Sequence, residues 1–324
     1  MKTFNEYLAM VNHAIDAIKY PEQPAGLYQP IAYHMALGGK RLRPVLVLMA
    51  ADAMGGNLDE ALMPAVGLEM FHNFTLLHDD VMDRSPLRRG KPTVHTKWND
   101  NTAILSGDAM LTMATQFIAM TPAHAQAQVM ELFNKTAMEI YEGQQFDVDF
   151  EKRMDVTEDE YLNMIRLKTG VLLGCACKMG AIIAGASEES AEELYLAGLN
   201  VGIAFQLQDD LIDVWGDEGK FGKPIGGDIV NNKKTALLIA ALNKAQGDDA
   251  TELRRWIEAE NPNPQDKINA VRDIYNRLGL KQYCENKMLV FNAQASQHLT
   301  AAKLYSEGDQ AFERLIYKLL YRDK

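Results

Sequence analysis

Two windows of this 324-residue chain, Leu62 to Leu77 and Leu199 to Leu211, are apolar on most sides of a 3.6-residue period. A helix that is hydrophobic nearly all round must be wrapped by other elements, so both windows belong in the middle of a larger helical assembly. The rest of the chain agrees. Long stretches keep the helical period, no convincing period-2 run marks a strand, and no Gly-x-Gly-x-x-Gly follows one. At the start of the chain Phe4, Leu8, Val11, Ile15 and Ile18 line one face of an amphipathic helix. Breakers gather at Pro21 to Pro30, Ser85 to Pro92, Gly216 to Gly227 and Asn261 to Pro264. The first three read as loops between helices. The last sets off a C-terminal helical region without a shift of composition. The expectation is a single all-α domain over residues 1–324.

Each buried window runs into the same acidic pattern, D-D-x-x-D. Asp79, Asp80 and Asp83 stand in "HDDVMD", and Asp209, Asp210 and Asp213 in "QDDLID". On a helix, positions i and i+4 share a face and i+1 lies about 100° round, so each triplet forms an acidic claw. Like charges at that spacing repel, and at a helix C-terminus they also oppose the dipole. A cation relieves both costs. Oxygen ligands of this kind suit Mg²⁺, which takes one or two carboxylates and completes its octahedron with water and phosphate oxygens. Neither stretch has the alternating ligands and central glycine of an EF-hand. Basic residues follow or flank the claws: Arg88 and Arg89, then Lys40, Arg41 and Arg43 in "GGKRLRP", His72, Lys168 in "LKTG", and Lys223 and Lys233 in "FGKPIGGDIVNNKKT". Several lie in Gly-rich loops, where backbone N–H groups can also hold phosphate oxygens. Metal claws ringed by Lys and Arg point to a polyphosphorylated ligand.

The bulk numbers narrow the alternatives. A net charge of −11 argues against a nucleic-acid partner, which needs a concentrated positive face, while leaving room for an anionic small molecule at a locally basic site. Glu6 and Asp16 interrupt any signal-peptide core, and the weakly polar stretch Val171 to Ala186 falls short of a membrane span. A cytoplasmic protein is expected. Cys175, Cys177 and Cys284 do not make a disulfide framework, and Cys-x-Cys reads as small core packing because no matching Cys/His pair follows it. Most of the 17 methionines are expected to fill core gaps.

In sequence order, "GGKRLRP", "LLHDDVMDRSPLRRGKPTVH", "EGQQFD", "LKTG", "FQLQDDLIDVWGD" and "GKPIGGDI" together resemble the trans-isoprenyl diphosphate synthases, or polyprenyl synthetases, over nearly the whole chain. The resemblance implies a helical bundle around a deep central active-site cavity, and a homodimer. It implies an enzyme that condenses isopentenyl diphosphate with an allylic diphosphate (dimethylallyl, geranyl or farnesyl), three Mg²⁺ ions being held by Asp79, Asp80, Asp83, Asp209, Asp210 and Asp213. Arg88, Lys168, Thr169, Gln206, Lys223 and Lys233 match the family's allylic-diphosphate contacts. Gly39, Lys40, Arg43, His72 and Arg89 match its isopentenyl diphosphate site. Ionisation of the allylic C–O bond, attack by the isopentenyl double bond and loss of a proton would follow, with Asp79, Asp80, Asp83, Arg88, Lys168, Asp209 and Lys223 as the catalytic set.

The resemblance also bears on product length. In the family, a bulky residue five positions before the first aspartate forms the floor of the product tunnel, and Phe74 stands there with the small Thr75 beside it. That combination favours a C20 product over C15. On an ideal helix Phe74 points about 140° away from Asp79, and Thr75 and Phe71 lie nearer its line, so periodicity alone does not select it. Two other readings remain. A terpene cyclase shares the first claw but usually carries a different second metal motif and no second diphosphate site; a non-catalytic subunit of a heteromeric synthase would show a degraded claw.

Overall fold

The computed structural model describes residues 1–217, 225–305 and 308–320. Among these the chain is all-α save for one two-stranded hairpin. In order, the first elements are α1 (Phe4–Asp16), α2 (Ala25–Met35), α3 (Leu42–Ala53), α4 (Leu58–Met82), the hairpin β1 (Leu87–Arg88) and β2 (Lys91–Pro92), α5 (Val94–Lys97) and α6 (Asp100–Ile118). Then come α7 (Gln126–Glu151), α8 (Glu158–Ile165), a single π turn at Arg166–Gly170, α9 (Val171–Ile183) and α10 (Glu188–Trp215). Further helices span Gly227–Val230, Ala236–Lys244, Gly247–Glu258, Pro264–Arg277, Leu280–Ala301 and Gly308–Leu320. No described helix is long and apolar enough to cross a membrane.

Local chemistry sets many of the helix starts. Thr3 with Glu6 and Thr157 with Glu160 form capping boxes, in which each Thr hydroxyl and each Glu carboxylate accepts a backbone N–H that the first turn leaves unpaired. Asn57, Asn99 and Thr235 cap α4, α6 and the helix Ala236–Lys244. The amphipathic N-terminal helix forms with Tyr7, Val11 and Ile15 buried, and Phe4 and Leu8 half-buried. Ser85 to Pro92 differs from a plain loop: its hairpin turns on Arg89 and Gly90, both at positive φ (54° and 74°), the geometry of a two-residue type I′ turn.

The chain divides into two compact units, each discontinuous in sequence. The first comprises Met1–Asn134, Cys175–Tyr195 and Leu299–Glu313. Its central helix is α4, which buries Ala65, Val66, Leu68, Met70, Phe71 and Leu77 as its apolar window demands. Helix α6 lies hard against it because two glycines permit the approach. A Cβ on Gly67 would stand 2.7 Å from Ile118, and one on Gly107 would stand 2.2 Å from the His78 ring.

The second unit comprises Lys135–Gly174, Leu196–His298 and the residues from Arg314 onward. Its core joins Tyr161, Met164 and Ile165 of α8 to Leu207, Leu211 and Val214 of α10, to Leu237, Leu238 and Ala241, and to Ile274, Tyr275 and Leu280. Glycines again set the spacing: a Cβ on Gly202 would lie 2.6 Å from the Gly170 Cα, and one on Gly143 would lie 2.5 Å from the Lys168 backbone nitrogen. All three cysteines are free and buried, in keeping with core packing. The methionines divide. Met35, Met49, Met70, Met110, Met164 and Met179 are core, whereas Met82, Met120, Met138 and Met154 are exposed, so gap filling accounts for only some of them.

Candidate active site

In the first unit the claw grows directly out of the central helix. Asp79 and Asp80 occupy the last turn of α4 and Asp83 is its C-cap. The three carboxylates are not equivalent. Asp80 is buried, while Asp79 is half-buried and Asp83 exposed. Arg88, brought back by the hairpin, donates from Nε to both Asp80 oxygens (2.9 and 2.8 Å) and from a terminal nitrogen to one of them (2.7 Å). A planar guanidinium on a carboxylate is the strong, geometrically exacting form of ion pair. It offsets the Asp80 charge within the claw and anchors the basic hairpin to the acidic helix end.

Beside that pair stands a cationic cluster. Arg43, near the start of α3, donates to Nε2 of His72 at 3.0 Å. A guanidinium cannot accept, so Nε2 carries the lone pair and the His72 proton sits on Nδ1. Burial, then the Arg43, Arg89 and Arg88 charges, hold His72 well below its ordinary pKa, so it stays neutral. Burial likewise lowers Arg43 to about 10. Arg89 donates to the Gly38 carbonyl, and its guanidinium fills the space where a Gly39 side chain would be; Gly39 also sits at φ 137°. Glycine is required there on both counts. Lys40 is exposed on the same loop. Arg41, grouped by sequence with the phosphate-binding cations, does something else. It is buried in an ion pair with Glu69 at 2.8 Å and donates to the Met35 carbonyl at 2.7 Å, which holds the Gly38–Gly39 loop in place. Arg84 reaches outward to Asp100 at 2.6 Å.

The candidate floor residues lie farther down α4. Phe71 and Phe74 are buried, with ring centroids 5.7 Å apart. Phe133 meets Phe71 edge-on at 5.1 Å, and the His78 ring meets Phe74 at 4.8 Å. Thr75 is half-buried and turns its hydroxyl back to the His72 carbonyl at 2.8 Å.

In the second unit α10 carries the other claw, with Asp209 and Asp213 half-buried and Asp210 buried. Gln206, one turn earlier, donates from Nε2 to Asp210 at 3.3 Å and accepts from the Thr169 hydroxyl at 3.2 Å. The shared face that the spacing implies is therefore present. Tyr161 and the Ala236 N–H also donate to Asp210, at 2.5 and 3.4 Å. Burial, then the Asp228 carboxylate, push Asp210 up to about 7 against the pull of Tyr161, Lys233 and Gln206. Asp213 accepts from the Asp228 N–H at 3.0 Å. Lys168 and Thr169 lie on the π turn, a distortion that helices often carry at functional positions. Lys168 pairs with Asp147 of α7 at 2.6 Å. Although burial works against it, the ammonium groups of Lys168 and Lys233 hold Asp147 below its ordinary pKa. Lys223 lies outside the described residues.

Three side chains at this site carry no sequence assignment: Asp147, Tyr161 and Asp228. Asp147 closes the segment "EGQQFD" and Asp228 stands in "GKPIGGDI", so both lay within reach of a motif reading. Tyr161, separated from Asp210 by 49 positions, had no local signal. Among the described residues no three His, Cys, Asp or Glu side chains are gathered to enclose a metal by themselves. The donors are nonetheless the right kind for Mg²⁺, an ion bound through one or two carboxylates with phosphate and water supplying the rest.

Comparison with known proteins decides the family. The sequence profile described as Polyprenyl synthetase matches residues 24–275. The chain belongs to the polyprenyl synthetase family. It is 44% identical over 236 residues to the geranylgeranyl diphosphate synthase of Methanosarcina mazei, covering 72% of this chain and 73% of that protein. It is 38% identical over 262 residues to the geranylfarnesyl diphosphate synthase of Natronomonas pharaonis, covering 75% and 76% of the two. A crystal structure of a geranylgeranyl pyrophosphate synthase superposes with a TM-score of 0.96 at 42% identity, over 100% of both chains. For a polyprenyl synthetase, the helical fold and the two intact D-D-x-x-D claws are in keeping.

Proposed function

We propose that this polyprenyl synthetase condenses isopentenyl diphosphate with a dimethylallyl, geranyl or farnesyl diphosphate to give an all-trans prenyl diphosphate, ending at C20. The observation that carries this reading is the repeated D-D-x-x-D on two long helices, each claw with cationic side chains in its own unit. Similarity to proteins named geranylgeranyl diphosphate synthase supports the substrate class and the product.

The two claws, Asp79, Asp80 and Asp83 with Asp209, Asp210 and Asp213, would between them hold three Mg²⁺ on the allylic diphosphate. When bound, the ions supply Lewis-acid stabilisation of the departing diphosphate. Arg88, Lys168, Thr169, Gln206, Lys223 and Lys233 bind its oxygens, and their positive charge stabilises the negative charge that grows as the allylic C–O bond breaks. Lys40, Arg43, His72 and Arg89, with the Gly39 loop, hold the isopentenyl diphosphate so that its double bond can attack the allylic cation. Neutral His72 can donate through Nδ1 while its Nε2 aims Arg43. The released diphosphate takes the proton lost from the new C5 unit, so no protein base is needed. Apolar side chains such as Phe71 and Phe74 keep water from the cation, and Phe74 limits elongation. The working enzyme is a cytoplasmic homodimer.

The test is purified protein with Mg²⁺, labelled isopentenyl diphosphate and each allylic primer in turn, followed by chromatography of the dephosphorylated products. Linear C20 alcohol is expected. Cyclic hydrocarbon from a lone allylic diphosphate would make the protein a cyclase, and turnover only with a second chain would make it a subunit of a heteromeric synthase. A main product of C15 or C25 would overturn the chain-length assignment alone.

A further inference from the structure

The proposed chemistry gives no role to Tyr161, yet this buried side chain touches the second claw directly. A phenylalanine would fill the same space without a hydroxyl to desolvate, so the hydroxyl stands there for its partner. That partner is Asp210, the middle aspartate, and its carboxylate accepts from three directions. Oδ2 takes the Tyr161 hydroxyl at 2.5 Å and the Ala236 N–H at 3.4 Å, while Oδ1 takes Gln206 at 3.3 Å. The donors come from α8, from the start of the helix Ala236–Lys244 and from α10 itself.

The consequence reaches the diphosphate contacts. An ionised Asp210 has no proton to give, so Gln206 then turns its NH₂ toward it, and the Gln206 carbonyl faces the Thr169 hydroxyl, which donates to it at 3.2 Å. The orientation of one amide, and through it of one hydroxyl, is thus set by where Asp210 points. We propose that Tyr161 is a positioning residue of the diphosphate site: it holds Asp210, which aims Gln206 and Thr169 and leaves Asp209 and Asp213 as the metal-facing pair of this claw. The first claw is built alike, its middle carboxylate Asp80 being held by Arg88. Preorganisation of this kind matters because a donor misplaced by a fraction of an ångström loses much of its effect on a developing charge.

This inference rests on the proposed diphosphate site, and the experiment separates the two. The full chain is titrated with Mg²⁺ at fixed inorganic diphosphate, without turnover, and the rise in melting temperature is followed. Wild type should show a Mg²⁺-dependent rise; if none appears at any concentration, the metal-diphosphate reading itself fails. Tyr161→Phe should lower the metal-free melting temperature, because a buried carboxylate loses a donor, and should also raise the Mg²⁺ half-saturation about tenfold, the low end for removing an outer partner at a metal site. An unchanged half-saturation, whatever happens to metal-free stability, would reduce Tyr161 to packing and overturn the proposal. A second comparison decides even if that variant fails to fold. Asp210→Asn should raise the half-saturation by about the same factor and Asp209→Asn by far more, whereas equal effects would make Asp210 a ligand in its own right.

Discussion

At the scale of single residues, the six claw aspartates fall into two kinds that their spacing does not distinguish. Asp80 and Asp210 are buried and held by protein donors, and the outer four are more exposed. On the proposed mechanism an outer carboxylate holds the Mg²⁺ that stabilises the departing diphosphate. Asp79→Ala and Asp209→Ala should each lower turnover by roughly two orders of magnitude or more, measured as initial rates at saturating primer. Near-normal rates in either would remove that claw from the reaction. A different residue adds to the pH response, opposing the raised Asp210 over much of the same range. His34 is buried, and burial, then the Arg88 and Arg89 charges, lower it from 6.5 to about 3. The unfolded chain therefore takes up a proton between those values that the folded chain refuses, so stability present above 6.5 is lost as pH falls toward 3. The slope His34 adds approaches about 1.4 kcal/mol per pH unit, so the stability difference between wild type and His34→Gln, read from denaturation midpoints, should change with pH over that range and level off above it.

At the scale of elements, close helix approaches set the geometry of both claws. In the second unit Gly202 lets α10 cross the π turn that carries Lys168 and Thr169. A methyl group there would meet backbone at Gly170, which has no side chain that could swing away. Gly202→Ala should cost about 1–3 kcal/mol of unfolding free energy and weaken primer binding, read from denaturant midpoints and KM. In the first unit Phe74 is clamped between Phe71 and His78. Truncating it opens space down α4, so Phe74→Ala should shift the product toward C25 and beyond. An unchanged chromatogram would pass the floor to another residue, with Phe71 and Thr75 next in line.

At the scale of the whole molecule, the full-length match to a geranylgeranyl pyrophosphate synthase structure accompanies a strongly acidic chain that places its cations locally. Light scattering of the purified protein should give twice the mass of one chain. Chelation of Mg²⁺ should abolish elongation and replacement should restore it. Relatives named geranylgeranyl and geranylfarnesyl diphosphate synthase share 44% and 38% identity with it.

The all-α class, the two central helices and the two claws were legible in the sequence because each depends on spacing within one helix, and spacing within a helix fixes which side chains share a face. Gln206 came from the family resemblance, and its spacing one turn before Asp210 agrees with it. Tertiary structure decided what had no such local rule. Arg41 reads like its neighbours Lys40 and Arg43, yet it is buried against Glu69 because α3 and α4 pack together there. Asp147 and Tyr161 meet Lys168 and Asp210 across 21 and 49 positions, through contacts made only when separate helices pack. The identity of the charged groups belongs to the sequence; which of them bind ligand and which hold others in place depends on packing, because burial determines which charges must find a partner within the protein.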